Sequence, residues 1–411
     1  MESHLCDVWY TVTDLQVVSG HGCRVTSADG TEYLDFTSGI AVTSTGHCHP
    51  KVVAAIQEQA ARFIHAQVNC YRHDQIEPLA AELAEIAPGD IDTFFFANSG
   101  AEITEAAVKL AKQVTGRPNV IVFAGSFHGR THLAMAMTTS RTSYRVGYAP
   151  LPSGVFVAPF PDPLAPDTDA ATDAALGALL NLLSTQTAPE ETAAMVIEPV
   201  LGEGGYIPAP ERFLRGVADI CRDHDILFVA DEVQSGFGRT GRMFAVEHYG
   251  VVPDVLCMAK GIASGFPFSA LGARRELMDR WPKGSHGGTY GGNAMGCAAA
   301  RATIGVLREP GFLDNVRARG EQLVRGLNEL RARDAGIVDV RGLGLMVGSE
   351  FSDAARVAAI QKHCLEEGRV MLMNAGTHGR TLRWMPPLVV TADEIDIGLS
   401  AFRAAVDATA A

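Results

Sequence analysis

Residues 226–239 read ILFVADEVQSGFGR. The run from Ile226 to Ala230 is apolar without alternation, as expected of a parallel strand covered on both faces. It ends on two acids, Asp231 and Glu232. A second apolar run, DVLCMAKGI (254–262), carries Lys260 at its end. In a parallel sheet the C-terminal ends of the strands share one edge, and ligands bind there. The pattern predicts a carboxylate and an amine facing one cleft.

Similar runs lie on either side: TFFFAN (93–98), VIVFAG (120–125) and AAMVIEP (193–199), with VLCMA (255–259) as the core of the lysine-bearing strand. Helical patterns alternate with them. AEITEAAVKLAKQV (101–114) puts Ile103, Ala106, Ala107, Leu110 and Val114 on one face, and PERFLRGVADICRDH (210–224) does so with Phe213, Val217 and Ile220. This rhythm predicts an α/β domain with a mostly parallel central sheet, and a helix-plus-loop crossover between Asp231 and Lys260. The ends differ. Residues 22–36 read as a hairpin turning at Asp29-Gly30. From about 296 the pattern is a long helix, a strand over 338–351, another helix and a closing strand over 380–390. The expected organisation is an N-terminal segment (1–45) and a C-terminal part (296–411) of one smaller α+β domain, around a large domain (46–295). The Pro-rich stretch 160–174 reads as a surface excursion.

The composition is 47% hydrophobic and 20% charged over 411 residues, enough for more than one real core. A formal net charge of -13 argues against nucleic acid or an anionic membrane as the main partner. The start, MESHLCDVWY, lacks a basic leader and an apolar signal core, and no apolar run reaches the roughly 18 residues of a spanning helix. The eight scattered cysteines form no C-x-x-C pair, so they read as reduced thiols of a cytoplasmic protein.

Several motifs point elsewhere and fail on context. GFGRTG (236–241) has the spacing of a dinucleotide fingerprint, but EVQS separates it from the strand and no strong helix follows. His47 and His49 in GHCHP have no second cluster to complete a metal site, so no metal is expected and a polar turn before a helix is the better reading. There is no G-x-S-x-G elbow and no Walker loop.

In FFFANSGAEITEAAV (94–108) an apolar strand runs through Ser99, Gly100 and Ala101 into a helix. The free N–H groups at such a helix start suit a phosphate. A plain Ser99 N-cap fits equally well. The Asp231–Lys260 pair carries more weight. A structural salt bridge would bury two charges for little gain. Pyridoxal 5′-phosphate instead requires both groups, a lysine for its Schiff base and a carboxylate for its ring nitrogen.

The ordered motifs YLDFTSGIAVTSTGHCHPKVVAAI (33–56), GSFHGRTH (125–132), IEPVLGEGG (197–205), LFVADEVQSGFGRTG (227–241), MAKGIASGFP (258–267), GGTYGGN (287–293) and LRWMPPL (382–388) resemble those of class III pyridoxal-phosphate aminotransferases. Within that family the chain is most similar to the 4-aminobutyrate and acetylornithine/ornithine group. The resemblance implies the fold type I of pyridoxal-phosphate enzymes. It also implies that Lys260 carries the cofactor and moves the proton, and that Asp231 pairs with the ring nitrogen. Phe127 would stack on the ring, Gln234 would reach its phenolic oxygen, and Ser99, Gly100 and Ala101 would hold the phosphate. Thr289 would reach the phosphate of a neighbouring subunit, making the active unit a homodimer, with a tetramer also open. Arg383 would clamp an α-carboxylate, Glu203 would neutralise Arg383 when that carboxylate is absent, and Glu198 would support it. Arg130 would bind the distal carboxylate and Ile40 would wall the pocket.

The implied activity is transfer of an amino group from an ω-amino acid, 4-aminobutyrate or a relative, to 2-oxoglutarate. Acetylornithine or ornithine as donor is the alternative, as is an amino-acid racemase or epimerase of the same fold. Two residues depart from common family patterns: Leu201 stands where many 4-aminobutyrate enzymes have Gln, and Ala101 where many relatives have Ser.

Overall fold

The computed structural model describes residues 4–410. Its centre is a seven-stranded sheet: β1 (Thr93–Ala97), β2 (Asn119–Phe123), β3 (Val155–Ala158), β4 (Thr192–Ile197), β5 (Leu227–Asp231), β6 (Val255–Met258) and β7 (Ser269–Ala273). The spatial order is β1-β7-β6-β5-β4-β2-β3. β3, β2, β4, β5 and β6 run parallel, and β7 is antiparallel to both of its neighbours. Alternate side chains go to opposite faces. Val120, Val122, Val196 and Val229 pack with the helix Gly100–Thr115, whose Ile103, Ala106, Ala107, Leu110 and Val114 are buried. Ile121, Phe123, Met195 and Phe228 pack with Phe213 and Val217 of the helix Glu211–Asp223. A sheet covered on both faces explains why its strands read as unbroken apolar runs.

The two chain ends meet. Strands Val17–His21, Arg24–Ser27 and Glu32–Asp35 form a meander, and Val370–Met371 adds to it in parallel. The turn at Asp29-Gly30 lies where the sequence predicts it. A second antiparallel sheet joins Ile337–Leu343, Met346–Phe351, Thr381–Trp384 and Met373–Ala375.

Several expectations are corrected. The crossover between Asp231 and Lys260 contains only the short 3-10 turn Ala245–His248, because Gly236, Gly238 and Gly241 break the segment into turns. β3 and β7 were not expected; both are short, and β7 contains a glycine and two alanines. The strand expected over 338–351 is a hairpin, since Gly342 and Gly344 take positive φ. The single helix from 296 is two helices, Ala294–Leu307 and Phe312–Arg331. The excursion 160–174 already enters the helix Thr168–Thr185, capped by Asp167. The closing strand stops at Trp384, before the two prolines.

The 337–351 hairpin ties the second sheet to the first. Arg239, fully buried, donates through Nη1 to the carbonyls of Leu345 (3.1 Å) and Pro386 (2.6 Å). A Cβ on Gly344 would lie 2.4 Å from the Thr240 carbonyl carbon. A Cβ on Gly320, in the helix Phe312–Arg331, would lie 2.2 Å from the Gly344 oxygen. Strand Thr381–Trp384 pairs with this hairpin, Gly348 opposite Arg383, so the packing sets where Arg383 sits. Gly320→Ala is therefore expected to cost about 1–3 kcal/mol by overpacking. Gly305→Ala, on an exposed helix position with nothing within 4 Å of the added methyl, is expected to stabilise by about 0.5–1 kcal/mol. Chemical unfolding midpoints of the two variants check both signs.

Candidate active site

The register Asp231↔Cys257 brings the end of β5 beside β6, and Lys260 follows two residues after β6. Lys260 has φ 45° at the start of a tight 3-10 turn, Lys260–Ala263. The amine forms no hydrogen bond or ion pair with another described residue. Asp231 is not its salt-bridge partner. Asp231 Oδ2 lies 2.6 Å from His128 Nδ1, and Oδ1 accepts from Val233 N at 3.0 Å. Burial opposes a charge on His128, but the bond to Asp231 and its charge prevail, so the imidazole pKa is raised. Burial pulls the Lys260 pKa below the usual lysine range, against the charge of Glu203.

The neighbouring carboxylate has a different role. Glu232 accepts from Ser235 Oγ (2.6 Å), Ala245 N (2.9 Å) and Val246 N (2.8 Å), so it fastens the turn after β5. Burial pushes its pKa up to about 7.

Nine of the predicted residues line one cavity of about 430 Å³: Ser99, Gly100, Ala101, Phe127, Arg130, Glu198, Asp231, Gln234 and Lys260. At one end is the start of the helix Gly100–Thr115. Ser99 caps it, its hydroxyl accepting from Glu102 N at 3.3 Å and donating to Glu102 Oε2 at 2.9 Å. The N–H groups of Gly100 and Ala101 take no partner among the described residues, so the cap and an anion cradle coexist. Gly100 fits closely there: a Cβ would lie 2.9 Å from Val233 Cγ1. Gln234 Oε1 accepts from Tyr206 Oη at 2.8 Å, which leaves the amide nitrogen as its free donor. Glu198 accepts from Phe127 N (2.7 Å) and Gly202 N (2.8 Å), and burial raises its pKa to about 7.

A second cluster adjoins the cavity. Arg383, buried, donates from Nη1 to Glu203 Oε1. Tyr144 Oη donates to Glu203 Oε2 at 3.4 Å. Burial alone would raise the Glu203 pKa, but Arg383 and then Lys260 hold it below the ordinary range. The Arg130 guanidinium sits 4.5 Å above the Tyr144 ring. Tyr144 in turn meets Phe127 edge-on at 5.2 Å. Leu201 is buried beneath this loop, and a Cβ on Gly125 would lie 3.1 Å from its Cδ1.

Two predicted residues stand apart. Ile40, at φ 67°, is not on the cavity wall, which Val42 forms instead. Thr289 is exposed and away from the cavity. His128, Tyr144, Tyr206 and the wall Phe266–Phe268 escaped sequence reasoning. His128 was within reach, as a polar residue directly after Phe127 in a quoted motif. Outside the cavity, His49 N-caps the helix Pro50–Arg62 and His47 Nε2 lies 2.8 Å from Asp35 Oδ2.

The donor set suits pyridoxal 5′-phosphate: an unpaired amine, a held carboxylate, a half-buried phenylalanine and free N–H groups around one cavity. Comparison with known proteins agrees. The family described as Aminotransferase class-III matches residues 5–406. The chain is 41% identical over 391 residues to the acetylornithine aminotransferase of Methanocaldococcus jannaschii, covering 94% of this chain and 92% of that protein. It is 39% identical over 384 residues to the 5-aminovalerate aminotransferase DavT of Pseudomonas putida, covering 92% and 89%. Among solved structures, an amine transaminase from an uncultivated Pseudomonas species in its PLP-bound form matches with a TM-score of 0.92 at 27% identity, over 100% of both chains. An unpaired lysine and a His128-held aspartate at adjoining strand ends, within a match that spans nearly the whole chain, make this protein a member of the class III aminotransferases, the pyridoxal-phosphate-dependent transaminases of fold type I.

Proposed function

We propose that this enzyme moves an amino group from an ω-amino acid, 4-aminobutyrate or its longer relative 5-aminovalerate, to 2-oxoglutarate. The observation that carries the reading is the Glu203–Arg383 pair beside the cavity that holds Lys260. A transaminase uses one pocket for two substrates in turn. An ω-amino acid has no carboxylate next to its reacting amine, whereas glutamate has one. Arg383 is a bidentate carboxylate site, and Glu203 is an internal carboxylate that fills it for the first substrate and leaves it for the second. Arg130, at the exposed rim, takes the distal carboxylate of both.

The cofactor, when bound, supplies the aldehyde that takes up amines and a ring that spreads negative charge. Lys260 holds it and, with its pKa lowered by burial, is the base that moves a proton at the substrate carbon bearing the amine. Asp231 would pair with the ring nitrogen and stabilise its proton. Phe127 would pack on the ring face, and Gln234 would donate its free amide N–H to the ring oxygen. The N–H groups of Gly100 and Ala101, with Ser99, hold the phosphate. Without a hydroxyl at Ala101 the backbone carries more of that work. Glu198 braces the loops of Phe127 and Gly202 behind the site.

The reading includes a homodimer. Trp9, Tyr10, Ile64, Tyr71 and Tyr290 are large apolar side chains exposed on the single chain, and a second copy would give them a surface to pack against. Thr289 lies beside Tyr290, so pairing of two copies would bring it to the partner's phosphate cradle. A cytoplasmic location belongs to the same reading, supported by eight cysteines that are all free. No helix among the described residues is long and apolar enough to cross a membrane. Acetylornithine as donor is the second reading, favoured by the M. jannaschii relative. Turnover of a panel of amine donors with 2-oxoglutarate separates the two. Activity without any added 2-oxo acid would favour an epimerase instead.

Removing the carboxylate of a buried ion pair costs roughly 3–5 kcal/mol, and each 1.36 kcal/mol is about tenfold in rate. Asp231→Ala is expected to lower kcat by about two to three orders of magnitude; near-normal steady-state turnover would refute the assignment. Glu203→Ala is expected to slow the ω-amine half-reaction more than the glutamate half-reaction. Single-turnover absorbance measurements of each half-reaction test this, and equal losses would count against the gate.

A further inference from the structure

When a substrate carboxylate occupies Arg383, Glu203 needs another partner, because an unpaired buried carboxylate is costly. We propose, resting on the gate described above, that Arg141 is that partner: a positioning residue whose guanidinium receives Glu203 while Arg383 holds a dicarboxylate. Arg141 Nε donates to the Gly376 carbonyl at 3.0 Å, and Gly376 N donates to the Glu203 carbonyl at 3.0 Å. One residue thus pins both the arginine head and the Glu203 backbone. Arg141 Nη2 is buried and has no hydrogen-bond partner among the described residues. A buried guanidinium nitrogen left unpaired is unfavourable, which marks it as a donor waiting for an acceptor. Tyr144, in the turn that begins at Arg141, already reaches Glu203 through a long bond.

Of the other cations near Glu203, Lys260 is reserved for the cofactor and the proton it moves, and the arginines are committed. Arg341 donates to Gly205 O but already pairs with Asp339 and Glu350. Arg130 lies over the Tyr144 ring at the cavity rim. Arg141 has no carboxylate partner among the described residues. Its charge already helps hold the Glu203 carboxyl ionised. Rotation of Glu203 from Arg383 toward Arg141 would exchange one charge-assisted bond for another, so the gate can open without stranding a charge. Arg141 therefore sets the balance between molecules with one carboxylate and molecules with two.

The test is equilibrium binding to the holoenzyme, by titration calorimetry, of glutarate (two carboxylates) and butanoate (one). Arg141→Gln is expected to weaken glutarate by about tenfold, the effect of one charge-assisted hydrogen bond, and butanoate by no more than about twofold. Arg141→Lys should recover most of the glutarate affinity. Because the readout is a ratio within one preparation, partial misfolding does not imitate it. In a Glu203→Ala background the Arg141→Gln effect on glutarate should vanish. If Arg141→Gln weakens both acids equally, or neither, while Glu203→Ala still shifts the glutarate-to-butanoate preference, Arg141 is not the receiving partner and the gate stands. If Glu203→Ala leaves that preference unchanged, the gate itself is wrong.

Discussion

Asp231 is a buried carboxylate at the end of a parallel strand, and alone it would be drawn to the ammonium of Lys260 at the end of the next one. The His128 imidazole prevents this by holding Asp231 Oδ2 at 2.6 Å. The bond is fully buried, where a charged hydrogen bond is strong and its loss is costly. Its consequence is chemical. The carboxylate is aimed into the cavity, and the amine stays free of an ion pair. An amine held as ammonium by a neighbouring carboxylate would be a poor nucleophile. One whose charge is opposed by burial is a good one.

The rest of the architecture keeps charges apart in the same way. Glu232 is adjacent in sequence to Asp231, yet it points into the turn after β5 and binds two backbone N–H groups. Glu198 is likewise occupied by two N–H groups. Of the acids around the cavity, Glu203 is the one bound to an arginine side chain, Arg383, which in the proposed reading a substrate carboxylate also claims. Arg383 is fixed by its strand, and that strand by the hairpin on which Arg239 closes. In the proposed gate, a rigid arginine and a glutamate that turns away would let one pocket accept substrates of two charge types.

Much of this was legible in the sequence, for definite reasons. β4, β5 and β6 are buried on both faces, so their apolar runs were unbroken and their polar ends conspicuous. The helix Gly100–Thr115 packs with a 3.6-residue period and could be read directly. β3 and β7 could not: VFVA is a four-residue run between the proline-bearing stretches PLPSG and PFPDP, and SALGA is made mostly of small residues that carry little pattern. The hairpin at 337–351 hid because its turn is Gly344-Leu345, with no polar turn signal. Pattern and spacing pointed to Asp231, Lys260 and the Ser99–Ala101 turn, and the family resemblance to the other groups on the cavity, but neither told which groups hold them. His128 and Tyr206 act through contacts 103 and 28 positions distant in sequence, and nothing local marks such pairs. Thr289 and Ile40 lie off the cavity of a single chain; the role expected of Thr289 depends on an assembled pair of subunits, and Val42 takes the wall position expected of Ile40.

The account depends on a free amine at position 260 that forms a covalent link with pyridoxal 5′-phosphate. Borohydride reduction of the purified holoenzyme, followed by peptide mass spectrometry, tests this most directly. The account predicts a reduced pyridoxyl-phosphate adduct on the peptide containing Lys260 and on no other lysine. A cofactor-loaded protein that yields its adduct elsewhere, or none at all, would contradict it.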